Sequence, residues 1–244
     1  MLGSPSARRR PPGAGRGWQL PRPCELCSRW SASDLCGDCE ARFLPARSGC
    51  CPRCALPGVD GGACGACLRD PPPFDRCIAV ADYGFPWDRL IARFKFEGQP
   101  ELAPLLARAL HRSLLRAAPP AVQVVLPVPL SAARLAERGY NQAWELARRV
   151  AALQGVASES GWLQRLRDTP HQVGSSRTAR QRNLRDAMWV TPAAAAGLTG
   201  RAVALVDDVL TTGVTAAAAA LALRAAGAAS VQVWVLARTP APEG

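Results

Sequence analysis

The chain has 244 residues, of which 48% are hydrophobic and 20% charged; this excludes a disordered-only protein and leaves room for one medium domain and a small one. Its formal charge is +11, from 30 basic residues against 19 acidic ones, and such a surplus favours anionic partners such as nucleic acid or a polyphosphate. The longest unbroken alanine-leucine run, Ala216 to Leu223, is far shorter than the roughly 20 residues of a membrane span, so no transmembrane segment is expected.

Taken in chain order, residues 1–23 carry five arginines and no acid and read as a disordered basic tail. Arg8, Arg9 and Arg10 run into Pro11 and Pro12 instead of the apolar stretch of a secretory signal, and the expected location is the cytoplasm. Nine of the ten cysteines then fall between Cys24 and Cys67, eight of them in four CxxC knuckles: Cys24/Cys27, Cys36/Cys39, Cys51/Cys54 and Cys64/Cys67. Thiolates two residues apart reach one tetrahedral ion, and two such pairs close a four-cysteine zinc site with no open position, which is structural chemistry. Disulfides are the alternative, but a chain without a secretory signal rarely keeps them. Pairing the first knuckle with the second and the third with the fourth is simplest and implies two ions, although crossed pairing has the same spacing. Cys50 and Cys77 are left over.

Residues 24–70 are therefore expected to form a double zinc ribbon that depends on metal, because so few large apolar residues cannot make a core. Residues 24–77 hold six arginines against seven acids, which argues against this module as the DNA-binding element. After Asp70-Pro71-Pro72-Pro73, residues 77–239 alternate short apolar runs with alanine-rich helical stretches, the pattern of an α/β domain with a parallel sheet flanked by helices. Strands are predicted at Ile78–Tyr83, Val122–Leu126, Ala202–Val206 and Val231–Leu236. Helices are predicted at Asp88–Phe96, Glu101–Arg116, within Ser131–Gly155, and from Thr215 to Ala226.

The sharpest chemical signal is Asp207-Asp208-Val209-Leu210-Thr211-Thr212-Gly213-Val214-Thr215, a strand end, two acids, and a hydroxyl-bearing glycine turn that opens a helix. In an open α/β sheet ligands sit at the carboxyl ends of strands, where turn and helix N–H groups favour a phosphate. Two carboxylates beside an anion site suit ribose hydroxyls or a bound Mg2+. A sugar phosphate satisfies both halves, whereas a capped helix explains the threonines but not the acid pair.

These residues resemble the 5-phosphoribosyl diphosphate (PRPP) loop of type I phosphoribosyltransferases. With Lys95-Phe96, Val128-Pro129-Leu130, Arg134, Arg138-Gly139-Tyr140-Asn141-Gln142, Thr169, Gln172, Arg180 and Asn183, residues 24–239 resemble the ComF family of competence proteins, which joins a double zinc ribbon to a phosphoribosyltransferase domain. The resemblance implies that Asp207 and Asp208 contact the ribose hydroxyls, and that the loop from Val209 to Thr215 binds PRPP, with Thr211, Thr212, Gly213 and Thr215 on the 5′-phosphate. It also implies that Arg134, Arg138 and Asn141 face pyrophosphate, that Mg2+ accompanies PRPP, and that Arg165 to Arg185 form an active-site hood. Ser175 departs from the leucine usual in the family.

Phosphoribosyl transfer needs Mg2+ on the departing pyrophosphate and a placed nucleophile. Related 6-oxopurine enzymes carry an Asp at the position of Thr211, which a Thr cannot replace, so hypoxanthine and guanine are disfavoured as acceptors. The resemblance thus implies a cytoplasmic factor handling incoming single-stranded DNA with competence-machinery proteins in natural transformation. An active transferase with an unidentified acceptor is the alternative.

Overall fold

A computed structural model describes residues 20–165 and 188–240. Residues 1–19 of the expected tail (1–23) and most of the expected hood, with Thr169, Gln172, Ser175, Arg180 and Asn183, lie outside the described residues, whereas Arg22 and Pro23 at the end of that tail are ordered in a strand and Arg22 pairs with Asp34. The N-terminal part contains β1 (Arg22–Pro23) paired antiparallel with β2 (Trp30–Ser31), then α1 (Gly37–Phe43) and α2 (Gly65–Arg69). Next come β3 (Arg76–Asp82), α3 (Trp87–Phe96), a 3-10 turn (Pro100–Leu102) and α4 (Ala103–Ala117). They lead to β4 (Val124–Pro127), α5 (Ala132–Arg138), α6 (Gln142–Gln154) and β5 (Ala157–Ser158). The chain closes with β6 (Leu163–Arg165), β7 (Met188–Val190), α7 (Pro192–Leu198), β8 (Ala202–Leu210), α8 (Val214–Ala225) and β9 (Ser230–Arg238).

Five strands form one parallel sheet in the order β3-β9-β8-β4-β5. Parallel strands need helical crossovers, which cover both faces and bury the strands as continuous apolar runs. Helices α3, α4 and α6 pack on one face around Leu90, Phe94, Leu106, Leu110 and Leu146. On the other face α8 packs through Ala216, Ala218, Ala219, Ala220 and Leu223, where small side chains let helix and sheet approach closely. Trp234, on β9, is buried in the first of these cores, as expected for an indole in a central strand.

The central strand differs from expectation in a way that matters for the site. It was predicted to end at Val206, before the acids, but β8 continues through Asp207 and Asp208 to Leu210. Pairing with β9 sustains it as far as Leu210 opposite Arg238, whereas β4 stops at Pro127 opposite Val206. The next rung between β4 and β8 is diverted to side chains: the Val128 carbonyl accepts from Asn141 Nδ2 and the Asp208 N–H donates to Asp207 Oδ1. The last four residues of β8 therefore project past one neighbour, and the acid pair borders a crevice at the carboxyl edge. The shortest elements escaped the sequence reading, among them β5, α7 and the antiparallel β6–β7 pair, which are too short for a periodic signal. Among the described residues no helix is long and apolar enough to cross a membrane.

Candidate functional site

Asp207 and Asp208 lie where β8 outruns β4, with their carboxyl groups close enough to interact. Asp208 is 2% exposed; Lys95 Nζ, from α3, lies 2.9 Å from its Oδ2, and Gln142 Nε2, from the start of α6, donates to the same oxygen at 3.2 Å. Its Oδ1 accepts the Val209 N–H at 2.7 Å. Burial of a carboxylate is tolerated when it is paired and hydrogen-bonded in this way. Asp207 is half-buried, and its Oδ1 accepts the Asp208 N–H at 2.9 Å. Burial, and after it the neighbouring Asp208 charge, pushes its carboxyl up to about 7.

Beyond Leu210 the chain turns through Thr211 and Thr212, both exposed, to Gly213, whose φ of 80° is the left-handed conformation that glycine supplies at low cost. Gly213 is the N-cap of α8 and receives no side-chain cap, so the first-turn amides of Val214, Thr215 and Ala216 face the crevice without helical partners. The Thr212 hydroxyl is 3.5 Å from the Val214 nitrogen. Hydroxyls and helix N–H groups in this placement are suited to a phosphate.

The loop after β4 borders the same edge: the Val128 N–H donates to the Val206 carbonyl at 2.9 Å. Arg134 is exposed on α5, with no side-chain partner among the described residues. Arg138 stacks its guanidinium 5.3 Å from the centroid of Phe96, itself 69% exposed, and its buried Nη1 has no hydrogen-bond partner. Asn141 is committed differently: its Oδ1 caps α6 by accepting from the Ala143 and Trp144 N–H groups at 2.9 and 3.3 Å, and its Nδ2 donates to the Val128 carbonyl. It shapes the loop that carries the arginines, and its Nδ2 keeps a second hydrogen to donate.

Lys95 and Gln142 are the residues that sequence reasoning underused. Both stood in the family resemblance, yet neither was placed in the site. Lys95 is the single lysine among 30 basic residues, and a compact ammonium fits a buried carboxylate where a guanidinium fork would need more room. That compositional oddity was a usable signal. Gln142 offered none, because its role depends on α6 beginning beside β8.

Each group of four cysteines has sulfurs within 4.8 Å of one another: Cys24, Cys27, Cys36 and Cys39 in one, Cys51, Cys54, Cys64 and Cys67 in the other. The expected adjacent pairing of knuckles is the one observed. Cys27 Sγ lies 3.6 Å from Cys36 Sγ, and Cys54 Sγ lies 3.6 Å from Cys64 Sγ, close to the ~3.8 Å edge of a tetrahedron of sulfurs around zinc. The Cys36 N–H donates to Cys24 Sγ and the Cys64 N–H to Cys51 Sγ. Burial alone would raise these two thiols, but backbone N–H groups outweigh it and bring Cys24 down to about 6 and Cys51 to about 7. Burial and neighbouring thiols raise Cys39 and Cys67. Cys50 and Cys77 belong to neither group; Cys77 is buried in β3, and that burial pushes it up to about 12.

The architecture defines a class: an open parallel five-stranded sheet with helices on both faces, preceded by two four-cysteine groups able to hold metal ions. No family model matches the chain. It is 37% identical over 231 residues to the DNA utilization protein YhgH of Salmonella typhi, covering 90% of this chain and 98% of that one. It is 35% identical to competence protein F of Haemophilus influenzae, over 72% of this chain and 78% of the relative. Competence protein ComFC of Bacillus subtilis is 28% identical over 84% of each chain. The chain belongs to this ComF/YhgH family. Among solved structures, the glutamine PRPP amidotransferase of B. subtilis, complexed with ADP and GMP, aligns with a TM-score of 0.41 and 17% identity, over 66% of this chain and 32% of that one. Adenine phosphoribosyltransferase of Saccharomyces cerevisiae aligns with a TM-score of 0.35, over 55% of this chain.

Proposed function

We propose that the carboxyl-edge crevice binds PRPP with Mg2+, and that the protein uses this site while handling single-stranded DNA, with residues 24–70 as a double zinc ribbon and 77–239 as the ligand-binding domain. The observation that carries the reading is the projection of Asp207–Leu210 past β4 into a glycine turn with uncapped helix amides. In this reading Thr211, Thr212, Gly213 and Thr215 hold the 5′-phosphate, with Val209, Leu210 and Val214 supplying backbone. Asp207 and Asp208 hold the ribose, Asp208 from within its network with Lys95 and Gln142.

The buried Gln142 Oε1 has no partner, and an acceptor left bare there costs about 1–3 kcal/mol. A ribose hydroxyl or a cation beside Asp207 would satisfy it, so the donor set fits a Mg2+-bound sugar phosphate. Mg2+ would supply charge neutralisation on the diphosphate. Arg134 and Arg138, oriented by the Asn141 cap, face pyrophosphate. Zinc fits the two thiolate groups because four sulfurs leave no position for water.

DNA handling draws on the names of the YhgH and competence relatives and on the charge of +11. Calorimetric titration of the metal-replete chain with PRPP and Mg2+ tests the site: Asp207→Ala should lose binding, and no binding by the folded wild type would refute the assignment. Single-stranded DNA should bind with strong salt dependence, because counterions are released; binding indifferent to salt would refute the nucleic-acid part. Transfer to an acceptor is a second reading, favoured by the unpartnered Arg138 Nη1 where a leaving pyrophosphate would need donors. Pyrophosphate release across a panel of bases tests it.

A further inference from the structure

Arg238, the last residue of β9, is 8% exposed, and among the described residues no carboxylate pairs with it. Its Nε donates to the Cys54 carbonyl at 2.9 Å. Its Nη1 donates to the Leu210 and Thr239 carbonyls at 2.9 and 2.8 Å, and also to the Thr211 carbonyl. One rigid guanidinium therefore ties the second cysteine group to the two residues that begin the phosphate loop. The fork geometry is needed for this, since donors on different nitrogens point in fixed and different directions.

The knuckle itself is held to the sheet nearby. The Cys77 N–H donates to the Pro52 carbonyl at 3.1 Å, and Arg47 Nη2 donates to the Ala55 carbonyl at 3.2 Å. Without an ion, the group's apolar support is small: Cys51, Cys54 and Cys67 pack with Leu56, Val59, Ala63 and Cys64, and the methyl of Ala55 packs into the core under the sheet. Metal is then what orders the Cys54 carbonyl. A zinc ion with four thiolates also carries two negative charges, which favour a buried cation that lacks any carboxylate.

We propose that Arg238 is a positioning residue through which occupancy of the second cysteine group holds the phosphate loop in its binding conformation. This rests on the PRPP reading of that loop. The first group has no hydrogen bond to the loop among the described residues, so the coupling belongs to the second alone.

The test combines hydrogen exchange of residues 210–216 with PRPP titration on the metal-replete chain. Arg238→Met should keep two ions per chain, speed exchange in the loop at least tenfold and weaken PRPP at least tenfold, with Arg238→Lys intermediate because one ammonium cannot serve both sides. Cys64→Ser, which empties the second group, should speed loop exchange in the same way, whereas Cys27→Ser in the first group should leave it unchanged. Unchanged loop exchange in Arg238→Met, or equal effects of the two cysteine variants, would overturn the proposal. If wild type fails to bind PRPP, the ligand reading falls, and loop exchange still decides the coupling.

Discussion

The two cysteine groups share the paired CxxC motif, sulfur geometry and the same N–H to sulfur bond, yet they are attached to the protein in different ways. The first is part of the main core: Cys24, Leu35, Cys36, Cys39 and Leu44 pack with α3 and α4. Trp87 Nε1 donates to the Phe43 carbonyl at 3.0 Å, and Arg93 pairs with Glu25 at 2.9 Å. The second keeps a small core of its own, lends the core under the sheet the methyl of Ala55, and meets the sheet mainly through the backbone carbonyls of Pro52 and Cys54. Apolar burial is non-directional and supports the whole fold. Hydrogen bonds are directional and transmit position, so the same motif serves stability in one place and alignment in the other.

That contrast can be broken most severely at the metal ligands. Cys27 is exposed, so Cys27→Ser opens no core cavity, but a lost structural ion forfeits several kcal/mol. Scanning calorimetry should show the whole-chain Tm falling by roughly 10 °C, while Cys64→Ser lowers it by less than half as much. Equal drops would erase the distinction.

The element shared by the first group and the site is α3, which carries both Trp87 and Lys95. Lys95→Met leaves the buried Asp208 without a cation, held only by Gln142 and the Val209 N–H, and should cost about 2–4 kcal/mol in denaturant unfolding, below the full figure for a buried pair because Lys95 is partly exposed. Adding Asp208→Leu should restore more than half of it. No recovery would mean that Lys95 acts through packing.

Asp207 should respond with the opposite sign. Its folded value of about 7 lies above the ordinary 3.8, so the folded state binds the proton more tightly, and the stability this gives below about pH 4 is lost as pH rises through 7. Asp207→Asn should therefore stabilise the protein by on the order of 1–3 kcal/mol above pH 7, flatten the slope between pH 4 and 7, and weaken PRPP. A stabilised variant that binds poorly is what a residue kept for function produces. The smallest change is Trp87→Phe, which removes one hydrogen bond to the first group; it should cost about 1 kcal/mol and leave loop exchange untouched. Altered loop exchange there would show that the first group also aligns the site.

Much of this protein follows from local pattern. The knuckle spacing specifies two tetrahedral sulfur sets because the reach of a CxxC is a short-range property. Alternating apolar runs and alanine-rich stretches specify a parallel sheet with covering helices, and the acid-rich glycine turn marks a phosphate edge wherever it follows a buried strand. What sequence could not decide is which groups meet across long separations. Asp208 is held by Lys95, 113 residues away, and by Gln142, 66 residues away. Arg238 reaches Cys54 across 184 residues. Those contacts exist because β9 lies between β3 and β8, and because β4 stops at a proline while β8 runs on. Strand order and strand end are settled by packing and hydrogen-bond satisfaction over the whole sheet, and they turn a legible loop into a site with an inner acid, an outer acid and a brace.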